Sequence, residues 1–162
     1  MANDIQKLGD LIKDIKIAML TTAEPDGTLR SRPMATQKTE FDGTLWFFTR
    51  ASSPKVDEVR QSHDVNLSYA APDSNTYVSV TGTASLVRDA AKAKELWNPI
   101  LKAWFPKGLE DPDLALLHVT VQKAEFWDSP SSTMVHVAGF VKAIATGQAY
   151  QPSAGEHEKI SL

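Results

Sequence analysis

The most constraining feature of this 162-residue chain is its punctuation: strand-length apolar segments alternate with turn signals at hairpin spacing. Ile17 to Thr22 (IAMLTT) reads as a buried strand and is followed by Glu24-Pro25-Asp26-Gly27. There proline fixes φ and glycine is free to take positive φ. Thr28 to Thr36 is a second strand. Asp42-Gly43, a two-residue hairpin signal, precedes the aromatic strand Thr44 to Thr49 (TLWFFT), which lets these two strands pair. Val65 to Ala70 and Tyr77 to Val87 are joined through Pro72-Asp73-Ser74-Asn75, and Gly82 marks a bulge or a close backbone approach. In Leu114 to Gln122, Leu117, Val119 and Val121 face one way and His118, Thr120 and Gln122 the other. Ala124 to Asp128 continues that strand. Six or seven hairpin-spaced strands with few crossover helices predict a mainly β, α+β domain, a small antiparallel barrel rather than a doubly wound sheet.

Helices flank these strands. Ile5, Leu8, Leu11, Ile12 and Ile15 fall on one helical face, with Lys7, Asp10, Lys13 and Asp14 opposite. Ser53-Pro54 reads as an N-cap and first position of a short helix, Lys55 to Ser62. Asp89 caps a helix to about Trp97, Pro99 kinks or restarts it, and Trp97, Leu101 and Trp104 share a face. Met134 to Thr146 is a terminal helix with Gly147 at the C′ position. Residues 1–147 are thus expected to form one domain, and 148–162 a polar, loosely held tail.

Composition narrows the chemistry. No cysteine is present, which removes disulfides, thiolate metal sites and cysteine nucleophiles. The four histidines have no metal-ligand spacing, and no glycine motif for dinucleotides or nucleoside triphosphates occurs. His118 reads as an ordinary surface residue. No apolar run approaches membrane-spanning length and the first residues lack a secretory layout, so the expected compartment is the cytoplasm. The net charge of −3 is too mild for a generic nucleic-acid binder.

One region departs from that acidic background. Arg30, Arg32, Lys38, Arg50 and Lys55 stand against Glu40 and Asp42, a local +3 in a chain of net charge −3. Arg30 and Arg32 are two apart on a strand and project from one face. Ser53-Pro54-Lys55 opens a helix whose first N–H groups are free. A guanidinium fork, an ammonium and a hydroxyl at a helix end suit a phosphate of modest size, with Trp46, Phe47, Phe48 and Thr49 beside it for a flat ring. Singly, each of these residues has a bland reading: solvated arginines, core phenylalanines, a common helix start. Trp127, by its local sequence, reads as packing.

In order, Arg32-Pro33-Met34, Trp46-Phe47-Phe48-Thr49 and Ser53-Pro54-Lys55 resemble the flavin-binding split-barrel family of pyridoxamine 5′-phosphate oxidase, in particular its general stress protein branch. Val80-Thr81-Gly82-Thr83-Ala84, Phe126-Trp127-Asp128-Ser129-Pro130 and Gly155-Glu156-His157-Glu158-Lys159 extend the resemblance over nearly the whole chain. The resemblance implies a six-stranded antiparallel split barrel and a homodimer with FMN in the cleft between subunits. It implies that Arg32 and Lys55 hold the FMN phosphate with Ser53 assisting, that Pro33 and Met34 line the flavin, and that Phe48-Thr49 meet flavin and phosphate. Tyr77 stands where the oxidase has a ring-contacting glutamine, and Trp127 matches an aromatic residue from the other subunit. The oxidase's Arg-x-His grip on its vitamin substrate is replaced by Ser129-Pro130-Ser131-Ser132-Thr133-Met134, so pyridoxamine 5′-phosphate oxidase activity is not expected.

Three functions remain open on the sequence: an FMN-dependent oxidoreductase or flavin reductase acting on an unidentified small substrate, with a small-molecule electron donor as partner, a non-catalytic flavin-storing or flavin-sensing stress protein, and a single-stranded nucleic-acid binder. The acidic balance disfavours the last. Haem binding ranks below these, since no histidine has the context of an axial ligand.

Overall fold

A computed structural model describes residues 2–37, 40–61, 63–128, 142, 144–147, 149 and 157–162. The elements run α1 (Ala2–Ile12), β1 (Ile17–Ala23), β2 (Leu29–Ala35), β3 (Thr44–Arg50), α2 (Pro54–Gln61), β4 (Asp64–Ala71), β5 (Thr76–Val87), α3 (Ala90–Leu96), β6 (Leu114–Trp127) and β7 (His157–Ser161). Two short 3-10 turns, Pro99–Ala103 and Gly108–Glu110, connect α3 to β6. All seven strands belong to one antiparallel sheet of order β2-β1-β4-β5-β6-β3, with β7 also on β6. The curled sheet with flanking helices is the mainly β architecture expected from the strand punctuation and the split barrel that the resemblance implies.

Local sequence explains most pairings. β1 and β2 meet across the Pro25-Asp26-Gly27 turn, in register from Ile17↔Ala35 to Ala23↔Leu29. Asp26 stabilises the turn by accepting from the Thr28 amide at 2.9 Å. β4 and β5 pair from Asp64↔Thr83 to Ala71↔Thr76. The β5–β6 register shifts between Thr81 and Gly82. A Cβ at Gly82 would lie 2.3 Å from the Thr120 carbonyl oxygen, so both senses of the glycine signal hold: a bulge and a close backbone approach.

Two expectations fail. β2 and β3 do not pair: β2 ladders only to β1, and β3 pairs with β6 from Thr44↔Thr120 to Arg50↔Leu114. The Asp42-Gly43 turn does form, with Asp42 accepting from the Thr44 amide at 3.0 Å. The chain before it has already left the sheet, however, and Phe41 packs on Gly9 of α1 and the core. The second failure lies in the polar tail. His157–Ser161 is not loose but forms β7 on β6, burying Ile160. The expected helix Met134 to Thr146 lies mostly outside the described residues; Lys142 and Ile144 to Thr146 are helical, and Gly147 has φ +66°.

Two apolar clusters hold the sheet. The larger joins Leu8, Ile12 and Ile15 to the inner face of the strands, including Leu20, Phe47, Leu67, Val80, Val119 and Phe126. The smaller lies outside β3 and β6, where Phe48 and Leu116 pack against Ala93, Leu96, Leu101 and Phe105. Adjacent phenylalanines point to opposite faces of a strand, so Phe47 serves one cluster and Phe48 the other. The segment from α3 to β6 thereby becomes a cover over the outer face of β3.

Candidate functional site

Because β2 and β3 are the two ends of the sheet's path, the barrel is open between them, and a cavity of about 360 Å³ lies in that seam. Pro33, Met34 and Ala35 of β2 form one side, Phe48, Thr49 and Arg50 of β3 the other, and Ser53 and Lys55 close it at the start of α2. Ile17, Gln37, Leu101, Trp104 and Phe105 complete the lining. Volume and an apolar lining with a few converging polar groups fit a small-molecule site.

Six of the nine residues singled out from the sequence meet there: Pro33, Met34, Phe48, Thr49, Ser53 and Lys55. Arg32, Tyr77 and Trp127 do not line it. Arg32 lies behind the cavity in a closed triangle. It donates to Thr22 Oγ1 and to Glu58 Oε2, each at 2.7 Å, while Thr22 donates to Glu58. Thr22 and Glu58 are buried, and Arg30 approaches the other Glu58 oxygen at 3.9 Å. Burial pushes the Glu58 carboxyl up, but the hydrogen bonds from Thr22 and Arg32 and the charges of Arg32 and Arg30 outweigh it and hold the group below its usual range.

Lys55 contrasts with Arg32. Among the described residues its ammonium makes no ion pair, and its hydrogen bond is to Ser53 Oγ at 2.8 Å. Burial first, then the charges of Arg32 and Arg30, lower its pKa; Glu58 opposes them in part. The Arg32 charge thus reaches the Lys55 ammonium, although Arg32 itself lies outside the cavity lining. The half-buried ammonium and the Ser53 hydroxyl present donors suited to an anion, and the ring-lined remainder of the seam suits a flat apolar group.

Tyr77 and Trp127 are register partners on the outer face of β5 and β6, and both are about two-fifths exposed. Trp127 stacks on His157 of β7 with ring centroids 5.2 Å apart. His157 in turn bonds Glu125 at 2.6 Å. His118 is not a simple surface residue: it is half-buried against Trp46, with ring centroids 4.2 Å apart, and burial lowers its pKa.

Sequence reasoning missed the far wall. Arg50 donates to the Trp104 carbonyl at 2.6 Å, lies 3.4 Å from Asp111 and covers the Phe105 ring. It thus clamps the cover segment over the seam. The available signals were the inclusion of Arg50 in the basic island and the shared face of Trp97, Leu101 and Trp104; neither says which strand the cover meets. Glu58, one helical turn beyond Lys55, carried no signal beyond that spacing. Among the described residues, no helix is long and apolar enough to cross a membrane.

Comparison with known proteins bears on the fold and the family. Protein bli-3 of Neurospora crassa is 33% identical over 156 residues, spanning 88% of this chain and 75% of that one. A general stress FMN/FAD binding protein of Xanthomonas citri superposes with a TM-score of 0.69 at 28% identity, over 80% of this chain and 92% of that one. A candidate general stress protein 26 of Jannaschia sp. CCS1 covers 100% of both chains with a TM-score of 0.78 at 24% identity, a likeness of fold. Residues 3–151 match the family described as pyridoxamine 5′-phosphate oxidase like, and the chain belongs to that family.

Proposed function

We propose that this protein binds FMN in the seam between β2 and β3, as a cytoplasmic homodimer, and passes electrons between the flavin and a small molecule. The observation that carries this reading is the half-buried Lys55 ammonium, with no carboxylate at ion-pair distance among the described residues, beside an aromatic-lined cavity. Lys55 and Ser53 would hold the phosphate, with Arg32 adding charge from behind. Two of the five Arg32 N–H groups serve Thr22 and Glu58, which leaves three donors. Pro33, Met34 and Phe48 would flank the ring system, and Thr49, which also lines the cavity, would meet both ring and phosphate. FMN would supply the hydride and electron chemistry. The residues of the seam bind, orient and keep water from one face of the ring.

A second space of about 800 Å³ adjoins the seam and shares Ile17, Ala35, Gln37, Leu101 and Trp104 with it. It offers a place for the electron donor or acceptor. The homodimer is supported by the outer face of the sheet, where Ile17, Met19, Tyr77 and Trp127 are exposed. Tyr77 and Trp127 fall outside their own chain's seam, and a partner copy gives them a ring to border. The general stress FMN/FAD binding protein of Xanthomonas citri supports a flavin as the ligand class.

An FMN titration followed by flavin fluorescence tests the reading. FMN should bind the wild type more tightly than riboflavin, and Lys55→Ala should weaken FMN by roughly 10- to 100-fold while leaving riboflavin nearly unchanged. Anaerobic bleaching of bound FMN by NADH or NADPH would establish electron transfer. A protein that takes up neither flavin would overturn the proposal.

A further inference from the structure

The electrostatics around α2 contain a group that phosphate binding does not need and in simple Coulomb terms opposes. Glu58 is a buried carboxylate one turn after Lys55, bonded to the arginine that stands behind the anion end of the seam. Arg30, Arg32 and Lys55 all act on it, and Thr22 completes its contacts. Here the carboxylate already occupies one edge of the Arg32 guanidinium, at 2.7 Å, before any ligand arrives.

We infer that Glu58 is a positioning residue that acts through Arg32 as a built-in competitor of the ligand's phosphate: it holds the guanidinium in place and weakens the site's grip on anions. This inference rests on the phosphate site proposed above. Two physical effects combine. The Glu58–Thr22–Arg32 triangle keeps three mutually repelling cations together when the seam holds no anion. By neutralising Arg32, the same carboxylate lowers that cation's share of the positive potential an entering phosphate meets, and a dianion feels that reduction twice as strongly as a monoanion. The consequence is a flavin phosphate that exchanges with solution rather than one held almost irreversibly. FMN is then able to behave as a shuttled ligand as well as a resident cofactor.

The test compares FMN with riboflavin, which has the same ring and no phosphate, in wild type, Glu58→Gln, Arg32→Gln and the double variant. Glutamine keeps the size of the side chain and an acceptor for Arg32 but removes the charge. Glu58→Gln should tighten FMN by roughly tenfold and slow its release by a similar factor, with riboflavin changed less than about twofold. In the Arg32→Gln background the gain should largely vanish, because the competition runs through Arg32. An FMN affinity that is unchanged or weaker, a parallel shift of riboflavin, or a gain that persists without Arg32 would overturn the inference.

Glu58→Asp serves if glutamine prevents folding. Its shorter carboxylate draws back from Arg32, so FMN should tighten by a smaller factor, and affinity equal to wild type would overturn the inference. A phosphate arm separates this inference from the flavin assignment. Inorganic phosphate should raise the melting temperature of Glu58→Gln more than that of the wild type. If no form binds FMN but this difference is present, the flavin reading alone falls; if the difference is absent, the competitor reading falls.

Discussion

The two edges of β2 behave differently. One is laddered to β1 along its whole length; the other faces β3 across a cavity without pairing. The paired edge follows from a local turn and carries stability. The free edge results from a competition that β6 wins for β3, and it borders the candidate ligand cavity. Leaving one pair of strands unjoined opens a cleft in a small sheet while the main core stays closed.

The largest effect should come from breaking the closed side. Leu20 of β1 is 0% exposed in the larger cluster, and Leu20→Ala should cost about 2–5 kcal/mol in chemical denaturation. A loss below about 1 kcal/mol would mean that this side is not the stable one. The open side should separate binding from stability. Trp104 is 56% exposed over the seam, so Trp104→Ala should weaken FMN by roughly 2- to 10-fold with little change in melting. Equal losses of melting and affinity would erase the distinction.

A smaller effect should appear with pH. The folded-state pKa of Lys55 is lowered from 10.5, so its charge is complete below that lowered value and lost above it. FMN affinity should therefore fall on the alkaline side earlier than an ordinary lysine would dictate. Between the folded and unfolded values the unfolded chain holds the extra proton, so Lys55's own contribution makes the free protein more stable as pH rises. A Lys55→Met variant should lose both trends. If it keeps them, another group is responsible.

The contrast between the edges also marks what the sequence could convey. Pro25-Asp26-Gly27 specifies the β1–β2 hairpin by backbone preference, and Gly82 identifies its bulge because no Cβ fits beside Thr120. Asp42-Gly43 forms its turn as well, but turn chemistry says nothing about partners further along the chain. β3 pairs with residues some seventy positions away, and Phe41 packs against the core. The basic island and Ser53-Pro54-Lys55 suggested an anion site in the sequence because charge and helix-end geometry are local, and Ser53 and Lys55 do meet at one cavity. The Arg32–Glu58 pairing and the clamp of Arg50 on the Trp104 carbonyl were not, since each joins elements whose approach only the tertiary fold creates. His157 illustrates the same limit: a polar tail becomes an edge strand because β6 is long enough to pair with β3 and β7 in turn.

The most direct test is a crystal structure of the protein grown with FMN. The phosphate should lie within hydrogen-bonding distance of Lys55 Nζ and Ser53 Oγ, with the ring in the seam between Met34 and Phe48. Flavin density elsewhere, with the Lys55 ammonium still turned to Ser53 alone, would contradict the account.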